Sequence, residues 1–201
     1  QMCIRDSLDT NGNVWALGAN EHGQLGTNSR TASTVPVKVY KGEQNSGDSY
    51  LSGIVDISAS KFVSAAIDVN GDIYRWGANE YGQLGDGSVS CAYEPINVTA
   101  LNGKDIVSVH AGEYHSIALT RDGEVYTWGH NDYGQLGLGN ASIVISTPQK
   151  VESLPEIVSI SAGKQHTMVL GADGYVYSFG DNSLGQRGAH SKDTSKRSST
   201  P

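Results

Sequence analysis

Residues Asp122 to Gly139 read DGEVYTWGHNDYGQLGLG. Close copies stand at Thr10 to Gly26 (TNGNVWALGANEHGQLG), Asn70 to Gly87 (NGDIYRWGANEYGQLGDG) and Asp173 to Gly188 (DGYVYSFGDNSLGQRG). Their first glycines, Gly12, Gly71, Gly123 and Gly174, follow one another at steps of 59, 52 and 51 residues. A period of that length marks a repeat architecture, in which each unit buries its apolar face only against its neighbours. A second block precedes each later copy: Ile54 to Asp68 (IVDISASKFVSAAID), Ile106 to Thr120 (IVSVHAGEYHSIALT) and Ile157 to Gly171 (IVSISAGKQHTMVLG).

Outward from the quoted stretch, Asn11-Gly12, Asn70-Gly71, Asp122-Gly123 and Asp173-Gly174 predict β-hairpins closed by two-residue type I′ turns, since Asn, Asp and Gly tolerate positive φ. The strand after each turn puts large apolar residues at its second and fourth positions and a β-branched residue at its first, as in Ile73-Tyr74-Arg75-Trp76. Both faces of such a strand meet packed sheets. The block G-x-N-x-x-G-Q-[LR]-G follows. Pro36, Pro95 and Pro148 come next, expected at the first residue of an edge strand, where a missing N–H does no harm. The second block reads as two further short strands around a tight turn.

Four strands per unit and no helical periodicity make the chain all-β, with units at about 8–53, 54–105, 106–156 and 157–201. Gln1 to Ser7 (QMCIRDS) match nothing in later copies and are read as a leader without weight in the fold. The chain begins and stops within a repeat, which suggests a piece of a longer protein.

Net charge is −7, from 21 acidic and 14 basic residues, and no basic stripe is present. That argues against direct nucleic-acid binding and favours a neutral or basic protein partner. Cys3 and Cys91 lie too far apart, in different repeat contexts, to suggest a disulfide framework or a zinc site. No run approaches the roughly 20 apolar residues of a membrane helix, and no signal-peptide pattern opens the chain.

The G-x-V-Y-x-W-G-x-N-x-x-G-Q-L-G block and the A-G-x-x-H-[ST]-x-x-L block, clearest at Ala162 to Leu170 (AGKQHTMVL), resemble the repeats of the regulator of chromosome condensation (RCC1) superfamily. The resemblance runs from Leu8 to the end. It implies a β-propeller of four-stranded antiparallel blades, commonly seven in the family, of which this chain holds about three complete blades and partial ones at both ends. Leu17 and Phe179 replace the tryptophan, Ser60 and Val63 the glycine and histidine of the second block, and Arg187 the leucine of GQLG.

Candidate chemistry is thin. His115 and His166 recur at one repeat position, which points to structural hydrogen bonds within the blade rather than to catalysis. Gly82 to Gly87 and Gly134 to Gly139 are glycine-rich, but no Lys-Ser/Thr and no helix follow, so they are not phosphate loops. His110, His115 and His130 lack metal-ligand spacing. No catalytic residue, cofactor, metal or small-molecule substrate is expected.

Tyr81, Tyr133, His22 and Leu184 share one position before the Gly-Gln pair and read as packing, with rim anchoring as the rival. The best partner-contact candidate is the period-breaking segment Tyr40 to Gly53, with Tyr40, Glu43, Asp48 and Tyr50. Asn97-Val98-Thr99 and Asn140-Ala141-Ser142 are chance sequons. The leading expectation is a non-enzymatic protein-interaction scaffold. The resemblance supplies two rivals: a guanine-nucleotide exchange factor that wedges a loop into a small GTPase, and the propeller part of a larger multidomain or secreted protein.

Overall fold

The computed structural model describes residues 5–139, 143–188 and 197–201. Asn140-Ala141-Ser142 and most of the tail lie outside that set. Blade 1 holds β1 (Arg5–Leu8), β2 (Val14–Gly18) and β3 (Ser33–Lys38). Blade 2 holds β4 (Ile54–Ala59), β5 (Val63–Asp68), β6 (Ile73–Gly77) and β7 (Ala92–Asn97). Blade 3 holds β8 (Ile106–Ala111), β9 (His115–Thr120), β10 (Val125–His130) and β11 (Val144–Lys150). Blade 4 holds β12 (Ile157–Ala162), β13 (His166–Gly171), β14 (Val176–Asp181) and β15 (Arg197–Ser198).

Among the described residues all pairings are antiparallel and follow chain order, giving an all-β propeller segment of one three-stranded and three four-stranded blades. The first strands β4, β8 and β12 lie against one another from blade to blade and form the inner wall.

Both faces of the third strand are covered, as its pattern predicts. Tyr74 and Trp76 pack into a core with Val14, Ala16 and Leu25 of blade 1, while Ile73 packs with Val98, Leu101, Ile106 and Trp128 on the blade 3 side.

Three local expectations need correction. The Asp/Asn-Gly hairpins are not two-residue type I′ turns: positive φ occurs at Gly12, Gly71, Gly123 and Gly174 but not at the residue before any of them. Gly12 N donates to Asp9 O (3.1 Å) and Asp9 N to Asn13 O (3.0 Å), and Gly71 with Asp68 and Asp72 repeats the pattern. This is a three-residue loop, a type I turn closed by a glycine bulge. The turn is fixed by its first residue, since Asp9 Oδ1 accepts from Asn11 N at 2.8 Å and Asp68 Oδ1 from Asn70 N at 2.9 Å.

Pro36, Pro95 and Pro148 sit inside the outer strands rather than at their starts, beside register shifts between Ala16 and Gly18, Arg75 and Gly77, and Thr127 and Gly129. Irregular pairing on an outer edge leaves no ladder bond for proline to break. Arg5, Asp6 and Ser7 of the supposed leader pair with Leu17, Ala16 and Trp15, so the first blade begins earlier than the repeat pattern shows.

Blades are joined through one carbonyl each. Trp76 Nε1 and Ser64 Oγ of blade 2 donate to Gln24 O of blade 1, at 2.9 and 3.1 Å. Trp128 Nε1 and Ser116 Oγ of blade 3 donate to Gln83 O of blade 2, at 2.9 and 2.8 Å. In blade 4, Phe179 has no N–H, and Thr167 Oγ1 alone reaches Gln135 O at 2.8 Å. The indole needs room: a Cβ on Gly85 would stand 2.6 Å from Trp128 Nε1, at a φ of +88° that side chains rarely adopt.

The loop offering this carbonyl is wired by its own side chains. Asn20, Asn79, Asn131 and Asn182 each accept at Oδ1 from the N–H five residues on, at 2.9 to 3.2 Å. Gln24, Gln83, Gln135 and Gln186 each accept at Oε1 from the N–H two residues back, at 2.8 to 3.0 Å.

Gly85→Ala should therefore cost about 2 kcal/mol or more, read as a lower urea midpoint, because strain and overpacking coincide there. Gly47→Ala, where a Cβ meets nothing within 4 Å, should stay within about 0.5 kcal/mol.

Candidate interaction face

Each third strand starts at an Asp/Asn-Gly turn and ends at a Gly-x-Asn loop, so the two loop sets emerge on opposite faces. The Gly-Gln loops share their face with the short turns between first and second strands. The linkers between blades, including Tyr40 to Gly53, lie on the Asp-Gly face.

On the Gly-Gln face the rings of three blades form one row. His22 meets Phe62 at 5.2 Å between centroids, Phe62 meets Tyr114 at 6.2 Å, and Tyr114 meets Tyr81 at 5.3 Å. Tyr81 then meets His130 at 4.6 Å and His130 meets Tyr133 at 6.4 Å. Most contacts are edge-to-face or tilted, the arrangement that aromatic quadrupoles favour. Except for His130, which is buried, the rings are half-buried. Packing and exposure thus coexist at Tyr81, Tyr133 and His22. Leu184, at the same position in blade 4, is 91% exposed and carries no ring.

Phe62 and Tyr114 escaped the sequence reading, and His130 entered it only as a discarded metal ligand. The available signal was that Phe62 and Tyr114 hold one place in the second block, each immediately before the second strand.

Charges flank the row. Exposed Glu21, Glu80 and Asp132 each precede a ring of the first set. Glu113 bridges blades by pairing with Lys61 at 3.4 Å and Lys164 at 3.3 Å. Burial pushes its carboxyl up, but the Tyr114 hydroxyl and the two ammonium groups outweigh that and hold it below the usual range. His130 Nδ1 accepts from Gln135 Nε2 at 2.9 Å, which leaves Nε2–H to donate to Asp132 Oδ2 at 3.1 Å.

The two recurrent histidines differ. His115 is fully buried, and its bond crosses to the next blade rather than staying within its own: Nε2 lies 2.9 Å from Thr167 Oγ1. The Thr167 proton already goes to Gln135 O, so His115 Nε2 carries the hydrogen and Nδ1 is left buried without a partner. Burial, reinforced by the nearby His166, His130 and Arg75, pushes its pKa down to about 3. His166 is half-buried beneath Gly163. Among the described residues no three His, Cys, Asp or Glu side chains converge on a common ion position.

The four residues singled out on the long linker divide into two pairs. Glu43 Oε2 accepts from Asn97 N at 2.8 Å, and its own N donates to Pro95 O at 2.9 Å, clipping the linker to the outer strand of blade 2. Asp48 Oδ2 accepts from Ser52 Oγ at 2.9 Å. Tyr40 and Tyr50 remain 40% and 39% exposed, with ring centroids 5.8 Å apart.

Fold and faces define a repeat-built β-propeller in which every unit offers the same loop on the same side. A profile of the RCC1-like domain matches residues 7–201, and the chain belongs to that family. It is 34% identical over 198 residues to the probable E3 ubiquitin-protein ligase HERC6 of Homo sapiens, covering 96% of this chain and 19% of that protein. It is 36% identical over 188 residues to the ultraviolet-B receptor UVR8 of Arabidopsis thaliana, covering 92% of this chain and 40% of the receptor. Among solved structures, Prp20p of Saccharomyces cerevisiae superposes with a TM-score of 0.83 at 23% identity, over 100% of this chain and 49% of that one, which shows the shared fold. The chain thus spans less than half the length of these relatives.

Two buried groups give pH dependence of opposite sign. Unfolded, His115 takes up a proton near pH 6.5, which the folded chain refuses until about pH 3. Its contribution is complete above that window and lost as pH falls through it, at up to about 1.4 kcal/mol per pH unit. Asp6 is the reverse: burial, which outweighs the nearby Ser64 hydroxyl, raises its pKa from 3.8 to about 7. The folded chain keeps a proton the unfolded chain releases, so stability falls as pH rises through that range. In urea titrations Asp6→Asn should raise the midpoint at about pH 8 and leave it unchanged at about pH 4. His115→Gln should remove the loss of stability below about pH 6 relative to the parent chain.

Proposed function

We propose that the chain is a non-enzymatic protein-interaction scaffold and that its Gly-Gln face carries the contact. The observation that supports this most is the row from His22 to Tyr133, half-exposed rings held at repeat-spaced positions beside exposed carboxylates. Rings of that kind anchor protein partners when a rigid scaffold holds them, because little side-chain freedom is lost on binding. Glu21, Glu80 and Asp132 suit a partner with a neutral or basic surface. Tyr40 and Tyr50 of the long linker are a second candidate contact; Glu43 and Asp48 are engaged within the chain.

The ligase and receptor named among the relatives are proteins of which this chain covers a minor part, and their activities are not transferred to it. Prp20p is described with binding properties to Gsp1p and histones. Exchange on a small GTPase is therefore the rival outcome to measure.

A photo-crosslinking amino acid placed at Tyr81 or Tyr133 should capture discrete proteins in cells, whereas one at Val35, exposed on the outer strand of blade 1, should not. Equal capture from the outer strand, or none from the ring row, defeats the proposal. With a captured partner in hand, Tyr81→Ala with Tyr133→Ala should weaken binding by about tenfold or more. Release of labelled GDP from a panel of small GTPases, with and without the chain, decides the exchange reading.

A further inference from the structure

The opposite face carries a different chemistry. Each first strand opens with a buried isoleucine and an outward valine: Ile54-Val55, Ile106-Val107 and Ile157-Val158. Each of these valines is the extra residue where the pairing to the second strand shifts register, between Ile54 and Asp56, Ile106 and Ser108, and Ile157 and Ser159, so the isoleucine packs into the core while the bulged valine turns outward. Val55, Val107 and Val158 are 56%, 38% and 53% exposed, and Val69, on the blade 2 side of this face, is 70% exposed.

Between blades 2 and 3 these side chains line a cleft of about 290 Å³, walled by Val55, Val69, Val107 and Ile67, with Asp68, Asp105 and Arg121 at its polar side. Arg121 Nε donates to Asp105 Oδ2 at 2.8 Å, and both side chains are more than half exposed.

The surroundings of the cleft are acidic. Every hairpin turn and every inter-blade linker on this face carries at least one carboxylate; the bases within them are Lys41, Lys104 and Arg121, and Lys150, at the end of β11, pairs with Glu124 and Glu152. The Gly-Gln face is nearer to balance, with Lys61 and Lys164 set against Glu113 and an Arg30 beside Glu21. Carboxylates therefore outnumber bases on this face, and Asp68 and Asp105 stand at the cleft itself.

We propose that this cleft is a second binding site, distinct from the ring row, and that its occupant is a peptide segment of a partner protein that combines an aliphatic side chain with flanking lysines or arginines. The aliphatic group fills the space between Val55, Val69 and Val107, where it removes exposed apolar surface from water. The basic groups meet the surrounding carboxylates, which raises the association rate and excludes acidic competitors. Arg121 is the one base at the rim and opposes such a ligand, which gives the site a residue whose removal should strengthen binding.

The probe is a lysine- and leucine-containing heptapeptide, with the same peptide carrying glutamate for lysine as its control, titrated into isotope-labelled chain and followed by NMR. Chemical-shift changes should centre on Val55, Val69 and Val107 and weaken as salt rises, and the glutamate peptide should leave them unmoved. Val69→Ser with Val107→Ser, both on exposed side chains, should reduce affinity about fivefold or more without moving the urea midpoint. Arg121→Gln should raise affinity about threefold, the change expected from removing one like charge near the surface.

No binding at millimolar peptide overturns the proposal. So do shifts spread evenly over the acidic turns, or affinity indifferent to both substitutions. Loss of the ring-row contact with this site intact, or the converse, tells the two surfaces apart.

Discussion

One carbonyl oxygen per blade holds the arc together. Gln24 O and Gln83 O each receive an indole N–H and a serine hydroxyl from the following blade. A carbonyl has two lone pairs, and between two apolar sheets both would otherwise be stripped of water at a cost of about 1–3 kcal/mol. Filling both from the next unit turns that liability into a positional constraint, because donors arriving from two paired strands, Ser64 opposite Trp76 and Ser116 opposite Trp128, fix distance and rotation together. The glycines flanking each Gly-Gln pair follow from this: Gly26, Gly85 and Gly137 lie where the indole or phenyl ring of the next blade stands against the backbone.

The same constraint explains which features were legible in the sequence. Asn, Gln, Gly and Trp of the repeat are the parts of the lock, so they recur, and recurrence alone exposes the blades and their order. What sequence could not show was where a residue's partner lies. His115 recurs with His166, yet its bond goes to Thr167 of the next blade, because the turn before it lies at a blade boundary. Asp-Gly suits two loops of different length; a side chain two residues earlier caps the longer one at Asp9, Asp68 and Thr120, whereas blade 4 closes the same loop from Gly171, with Asp173 Oδ1 accepting from Tyr175 N. Phe62 and Tyr114 were legible only by aligning the second block as closely as the first.

Departures from the repeat show what the lock tolerates. Phe179 keeps the ring and gives up the N–H, and Thr167 still holds the carbonyl. Arg75 stands where Thr127 donates to Leu136 O and Ser178 to Arg187 O; its buried guanidinium lies 5.4 Å from the centroid of the Trp128 ring. Burial pulls its pKa down to about 9, so the charge is kept at a desolvation cost that only the ring face offsets.

A four-stranded antiparallel unit also decides where variation is affordable. The lock consumes the Gly-Gln loop's backbone and its Asn and Gln side chains, but the residues between them, Glu21-His22, Glu80-Tyr81 and Asp132-Tyr133, project from a rigid frame and touch the next blade only through the rings of the row, as His22 does at Phe62 and Tyr81 at Tyr114. On the other face the hairpin turns of blades 1 to 3 are fixed by their first residue and their glycine; turns and linkers are free to gather carboxylates near the inner valines. Two recognition surfaces of different chemistry can therefore diverge on one scaffold without disturbing each other, since no side chain of either donates to the carbonyls that join the blades.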